Sequence, residues 1–425
     1  MSYYKKRAPL KSNAEIEQEI KTFFAPLTMQ DLVQPNEEQT KEVINKLELF
    51  TSENAEGITS SQLRKMYDKV IDGDWKKIAM LRPEFAYTIA KQPNEKAKKM
   101  MILADELAKV AQHAVGGYQN FLKNLVAFHK YFEMPPWHRK SSADFKQEIQ
   151  PLKIERMLHF QTLSLNELDE FFKRLENFIK ANVSGITSTQ MRRLFDQSSS
   201  AQTPAQVQSL RPIFAYAAAR QERKEAVQLM LLAMELSREV NTTDQVIQFH
   251  KLMEVIVSFH KFYEAAAAWN KKRKDRRAEE TEQDRILKEA IHHFGRYKIK
   301  DLLEPSILSY EKLQKHWQKF IFDNLEGIKS SQLRRLYDTV QIAYNKTNAE
   351  ESVQRIKLLR PFFLYTVARQ NNNKAKRLIL LLSELIKEVN EKKVHDFFQL
   401  MEDIVAYHSY FESTIENNYF KNQHL

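Results

Sequence analysis

The chain has 425 residues, a formal net charge of +11, only 7 glycines and 12 prolines, and no cysteine. That length exceeds one compact domain and suits several of roughly 100 residues each. The missing cysteines exclude disulfides, thiolate metal sites and a cysteine nucleophile. The scarcity of glycine argues against hairpins, phosphate-cradling loops and dinucleotide folds, and the positive charge suits polyanionic partners.

In chain order, residues 1–35 read as an N-terminal segment. Lys5, Lys6 and Arg7 are not followed by an apolar run, so no secretory signal is expected, and no apolar stretch is long enough to span a bilayer. A soluble, cytoplasmic protein is expected. A first helical bundle is predicted over 36–135. It contains a leading helix at 37–52, a motif helix after Gly57-Ile58-Thr59 with Thr59 and Gln62 as a capping pair, and a short helix from Pro83 to about Lys91. An amphipathic helix follows, in which Met100, Met101, Leu103, Ala104, Leu107 and Ala108 recur three and four apart, and then an aromatic-rich helix carrying His129.

The same order returns twice. Gly57 to Asp68 recurs as Gly185 to Asp196 and as Gly327 to Asp338; Leu81-Arg82-Pro83 recurs as Leu210-Arg211-Pro212 and Leu359-Arg360-Pro361; and Phe128-His129-Lys130-Tyr131-Phe132-Glu133 recurs around His260 and His408. The chain is thus predicted to be all-α, with three tandem bundles of about five helices each, at 36–135, 161–268 and 306–413. Further leading helices are expected at 166–182 and 310–324 and long helices at 226–240 and 375–389. In the third copy Lys329 replaces the capping threonine, so the cap is lost or moves to Ser330. Connectors are read at 136–160 and 269–305, and a tail at 414–425. The second connector passes from Lys271-Lys272-Arg273-Lys274-Asp275-Arg276-Arg277 to Glu279, Glu280, Glu282 and Asp284, the charge order of a solvated helix or a basic tether. The segment between each motif helix and Leu-Arg-Pro reads as a variable loop.

Basic charge recurs at four places in every copy: Arg64/Arg192/Arg334, Lys65/Arg193/Arg335, Arg82/Arg211/Arg360 and Lys91/Arg220/Arg369. A recurring set of guanidinium and ammonium groups suits phosphate oxygens. The same groups are equally able to lie over a core and pair with a recurring acid such as Glu106/Glu235/Glu384 or Asp68/Asp196/Asp338. His129, His260 and His408, each one turn before Glu133, Glu264 and Glu412, offer two metal ligands or an acid and base, but two ligands do not close a site and a packed histidine is the favoured reading. Tyr67, Phe195 and Tyr337 are core or base-stacking residues. No nucleophile constellation, acidic cluster or glycine-rich loop recurs, so catalysis, a metal and a cofactor are not expected.

Ile-Thr-Ser-Ser-Gln-Leu-Arg, Leu-Arg-Pro before Phe-Ala-Tyr, and Ala-Phe-His-Lys-Tyr-Phe-Glu, found in that order, resemble the small helical subunit of type III-A CRISPR-Cas effector complexes, the Csm small subunit. The resemblance covers about 36–133, 166–264 and 309–412. It implies a non-catalytic, prokaryotic antiviral protein that packs along an effector filament beside other protein subunits. It also implies contact with the backbone of guide RNA and target RNA without sequence preference, through the recurring basic residues, and no membrane partner. The family usually has one module per chain, whereas this chain repeats the pattern. The rival readings are a helical scaffold for acidic protein partners and a metal enzyme built on the three histidines.

Overall fold

The computed structural model describes residues 11–134, 147, 150–272, 282–295, 297–303, 310–344 and 348–423, and among them every regular element is helical. In chain order the elements used below are α1 (Asn13–Phe24), α2 (Met29–Val33), α3 (Glu37–Asn54), α4 (Ser60–Val70), α5 (Trp75–Lys91), α6 (Glu95–Val110) and α7 (Val115–Phe132). They continue with α8 (Leu165–Asn182), α9 (Ser188–Ser199), α10 (Pro204–Gln208), α11 (Arg211–Ala219), α12 (Lys224–Glu239) and α13 (Thr243–Lys272). The last are α14 (Glu282–His292), α15 (Tyr310–Asn324), α16 (Ser330–Tyr344), α17 (Ala349–Lys357), α18 (Arg360–Arg369), α19 (Asn373–Glu388) and α20 (Val394–Gln423).

Two compact units form. One comprises Met1–Leu158 with Arg193–His250, the other His159–Arg192 with Lys251–Leu425, so the division runs through the middle sequence copy. In the first unit α6 lies at the centre, packed by α1, α2, α3 and α5, and its Met100, Met101, Ile102, Leu103, Ala104 and Leu107 are buried. A helix apolar on most of its circumference belongs in the interior. In the second unit α19 takes the same place, packed by α14, α15 and α18, with Leu378, Ile379, Leu381, Leu382 and Leu385 buried.

The local chemistry explains where helices begin. Ser12 with Glu15, Thr28 with Asp31, Asn36 with Gln39, and Thr59 with Gln62 form reciprocal caps that satisfy otherwise orphaned N–H groups. At α16 half of that cap survives: the Lys329 N–H donates to Gln332 Oε1 at 3.3 Å, while Ser330 is turned to another use described below. Ahead of each motif helix Asn54, Asn182 and Asn324 are buried and donate from Nδ2 to Phe50 O, Phe178 O and Phe320 O at 2.8, 2.8 and 2.7 Å. Gly57 and Gly185 then turn the chain at φ +89° and +101°, where a side chain is strained. At Gly327 a Cβ would lie 2.3 Å from the Ala375 nitrogen, so close approach fixes the glycine there.

Several expectations change. Pro212 and Pro361 stand in the first turn of α11 and α18, as their missing N–H allows, but Pro83 lies inside α5, whose start is set earlier by the Asp74 cap. The segment read as a variable loop holds helix in every copy, namely the first half of α5, α10 and α17. The acidic half of the second connector is α14, seated on α19 with Ile286 and Ala290 buried; an apolar stripe at helical spacing outweighs its surface charge. Residues 273–281 of the basic half lie outside the described residues, as do 304–309.

Candidate nucleic-acid interface

The Leu-Arg-Pro arginines differ sharply in their surroundings. In the first unit α10 packs on α3 and α11 on α7, so the middle copy's segment covers the tail of the first. Arg211 is fully buried there, donating to Asn45 Oδ1 at 2.5 Å and to the Glu48 carboxylate, which also accepts from Arg238 at 2.7 Å. The second unit repeats the arrangement with α17 on α8. Arg360 donates to both carboxylate oxygens of Glu176, at 2.6 and 3.0 Å, touches Glu384 at 3.4 Å, and lies 6.0 Å from the Phe259 ring. Burial pushes the Glu176 carboxyl up, but the hydrogen bonds and charge of Arg360, with the Tyr263 hydroxyl, hold it below the ordinary carboxylate range. Arg82 pairs within its own copy. Its side chain is 39 % exposed and pairs with Asp105 at 3.1 Å.

The remaining basic residues are exposed: Arg64 and Lys65 on α4, Arg192 and Arg193 on α9, Arg334 and Arg335 on α16, and Lys91, Arg220 and Arg369 at the ends of α5, α11 and α18. Two clusters form among them, one in each unit. Arg64 Nη1 donates to the Tyr216 hydroxyl at 3.1 Å while the Arg220 guanidinium lies 5.8 Å from the same ring. Arg192 Nη1 donates to the Tyr365 hydroxyl at 2.8 Å, with Arg369 at 5.7 Å from that ring. In the first copy only half of the cluster exists, Lys91 over Tyr87 at 4.3 Å. The tyrosine precedes the basic residue by four positions, so both share one helix face. Arg64 also pairs loosely with Asp68, at 3.7 Å, one turn along α4.

Glu133, Glu264 and Glu412 are spent on the motif helices. Ser60, Ser188 and Ser330 donate their hydroxyls to those carboxylates, and the Ser60 and Ser188 N–H groups add bonds at 3.2 and 2.9 Å. A carboxylate at a helix N-terminus satisfies open N–H groups and meets the favourable end of the dipole. The result staples the start of α4, α9 and α16 to the closing helix. His129, His260 and His408 are buried beside this staple; Ser188 Oγ is 3.4 Å from His260 Nδ1 and Ser330 Oγ 2.9 Å from His408 Nδ1. Burial lowers all three imidazole pKa values, that of His260 to about 4 despite the nearby Glu264 charge. The serine proton is aimed at the carboxylate and the imidazole is kept neutral and enclosed, so the geometry builds a helix cap and not an activated nucleophile.

A family model described as Csm2 Type III-A matches the chain over residues 153–266 and 308–414. The chain belongs to the Csm2 Type III-A family. No curated protein and no solved structure matches it. The two matched stretches contain the middle and last sequence copies, with both staples built on His260 and His408.

Csm2 proteins are the non-catalytic small subunits of type III-A CRISPR effectors, whose complex carries a guide RNA. Among the described residues no group of His, Asp and Glu is arranged to hold a metal ion, and no helix is long and apolar enough to cross a membrane. The recurring tyrosines Tyr87, Tyr216 and Tyr365 and the acids Glu48 and Glu176 escape a reading based on basic residues alone. The tyrosines carried a signal, since each stands four residues before a recurring cation. Glu48 and Glu176 also occupy equivalent positions, but their partner lies in the following copy and cannot be read along the chain.

Proposed function

We propose that the chain supplies three Csm2-like modules to one type III-A effector in a prokaryotic cytoplasm, the first module being an unmatched relative of the two that the family model covers. In this reading the modules contact the backbone of guide and target RNA without reading sequence, pack along the effector filament against other subunits, and serve antiviral defence. The observation that carries it is the paired cluster Arg64–Tyr216–Arg220 and Arg192–Tyr365–Arg369, where two exposed guanidinium groups converge on one phenol ring. Phosphate oxygens suit the forked donors and the ring offers a sequence-tolerant stacking face. Lys65, Arg193, Arg334, Arg335 and Lys91 extend the proposed contact set. Arg211 and Arg360 leave it, because both are buried with their terminal donors directed at the half-buried carboxylates Glu48 and Glu176, and Arg82 leaves it because its equivalents serve protein contact. These three are assigned to protein contact in this reading.

Titration of the purified chain with unrelated RNA sequences across a salt series tests the proposal. With about six phosphate contacts, the log-log slope is expected near −4, at about −0.7 per contact on single strands. A flat salt response, or strong preference for one sequence, would contradict backbone binding.

A further inference from the structure

We propose that the exposed Leu-Arg-Pro face of α5 is a docking site for a partner protein presenting a carboxylate on a helix, and that a second copy of this chain is not that partner. The inference rests on the three-module reading above. The equivalent face is occupied in both other copies, and each time its arginine is buried against a glutamate of the preceding leading helix, Glu48 on α3 and Glu176 on α8. In the first copy the same face is bare. Met80 is 80 % and Tyr87 60 % exposed, and Pro83 is exposed whereas Pro212 and Pro361 are buried. Arg82 is part-exposed and donates to Asp105 from Nε at 3.1 Å and from Nη2 at 3.5 Å, so it still presents an open edge to an incoming acid.

The chain's own last copy does not offer that acid. Gln318 on α15 stands where α3 has Glu48 and α8 has Glu176. Its amide and that of Gln314 donate to the Tyr407 hydroxyl, at 2.8 and 2.9 Å, in the place where Phe259 lies under Arg360. An arginine brought in here would be buried against amides and a phenol, an uncompensated charge. A second mismatch adds to the first. Val255 and Phe362 line one cleft in the second unit; their equivalents are Asp403 in the last copy and Glu84 in the first. A head-to-tail contact between two chains would therefore bring Asp403 into a cleft shared with the Lys69-paired Glu84, where the middle junction has two apolar side chains, and so leaves Asp403 without an apolar or cationic counterpart.

Sedimentation velocity on the full chain tests this, with a tail-restored chain as the probe. The wild type is expected to stay monomeric. A chain carrying Gln318→Glu and Asp403→Val, the residues of the middle copy, is expected to associate at least tenfold more tightly, and Arg82→Ala in that chain to abolish the gain. Circular dichroism verifies folding, and Gln318→Glu alone serves if the double variant does not fold. Arg82-dependent association of the wild type would make a second copy the occupant and overturn the proposal. Absence of association in a folded tail-restored chain, or association indifferent to Arg82→Ala, would overturn it as well. The readout needs no RNA, so its failure and a flat RNA salt response are separate results.

Discussion

Helices α5 and α11 carry the same Leu-Arg-Pro passage within one compact unit, yet Arg82 is half exposed on an acid of its own copy while Arg211 is fully buried on one acid and one amide of another. The difference teaches that the passage is a connector in the molecular sense: its arginine is defined by what covers it. A recurring cation therefore has no single role. Where Glu48 or Glu176 of another sequence copy reaches it, the arginine is buried, and where only Asp105 of its own copy does, it stays half exposed.

The contrast breaks most visibly in stability. Glu176→Gln leaves buried Arg360 with only the longer Glu384 contact and is expected to cost about 3 kcal/mol, as is Arg211→Ala, which leaves Glu48 to Arg238 alone. Denaturant unfolding monitored by circular dichroism measures both, and losses below about 1 kcal/mol would mean that neither junction depends on its ion pair.

The buried histidines supply the control, since they are enclosed in every copy whatever lies in front. His260 ordinarily titrates near 6.5 and is held at about 4. Between these values the unfolded chain binds the proton and the folded one does not, so stability falls as pH drops from about 6.5 to about 4. Glu133 and Glu264, held below the ordinary range on balance by their serine hydrogen bonds against the opposing effect of burial, add losses of the same sign at lower pH. For His260 the effect amounts to roughly 3 kcal/mol at about 1.4 kcal/mol per pKa unit. Unfolding curves from pH 7 to 4 should show the slope, reduced in His260→Gln.

A smaller effect separates RNA contact from module joining. Arg64→Ala with Arg220→Ala is expected to weaken RNA binding about tenfold, near 1.4 kcal/mol, and to make the salt slope shallower by about 1.4. An unchanged slope would return these residues to scaffolding. The smallest change belongs to Arg82→Ala, a half-exposed pair worth about 1 kcal/mol of folding stability. A loss comparable to that of Arg211→Ala, measured by the same unfolding curves, would erase the distinction between α5 and α11.

The repeats, the all-helical class and the leading helices at 37–52, 166–182 and 310–324 were legible because caps and apolar spacing act over neighbouring residues, and the observed Glu37–Asn54, Leu165–Asn182 and Tyr310–Asn324 follow them closely. Likewise a glutamate one turn after each histidine was plain, but its serine partner was not: Ser188 and Glu264 meet only once two helices are packed. Within 269–305 the helix option is met by α14, but the charges do not reveal that Ile286 and Ala290 seat it against α19.

Sequence alone determined that this protein is a helical repeat with recurring basic residues, because helix formation and capping depend on side chains three and four positions apart. Only tertiary structure decided which cations are spent. Whether Arg211 or Arg360 meets a carboxylate depends on residues of another copy, far away in the chain, and burial turns such a meeting from a weak surface contact into a commitment.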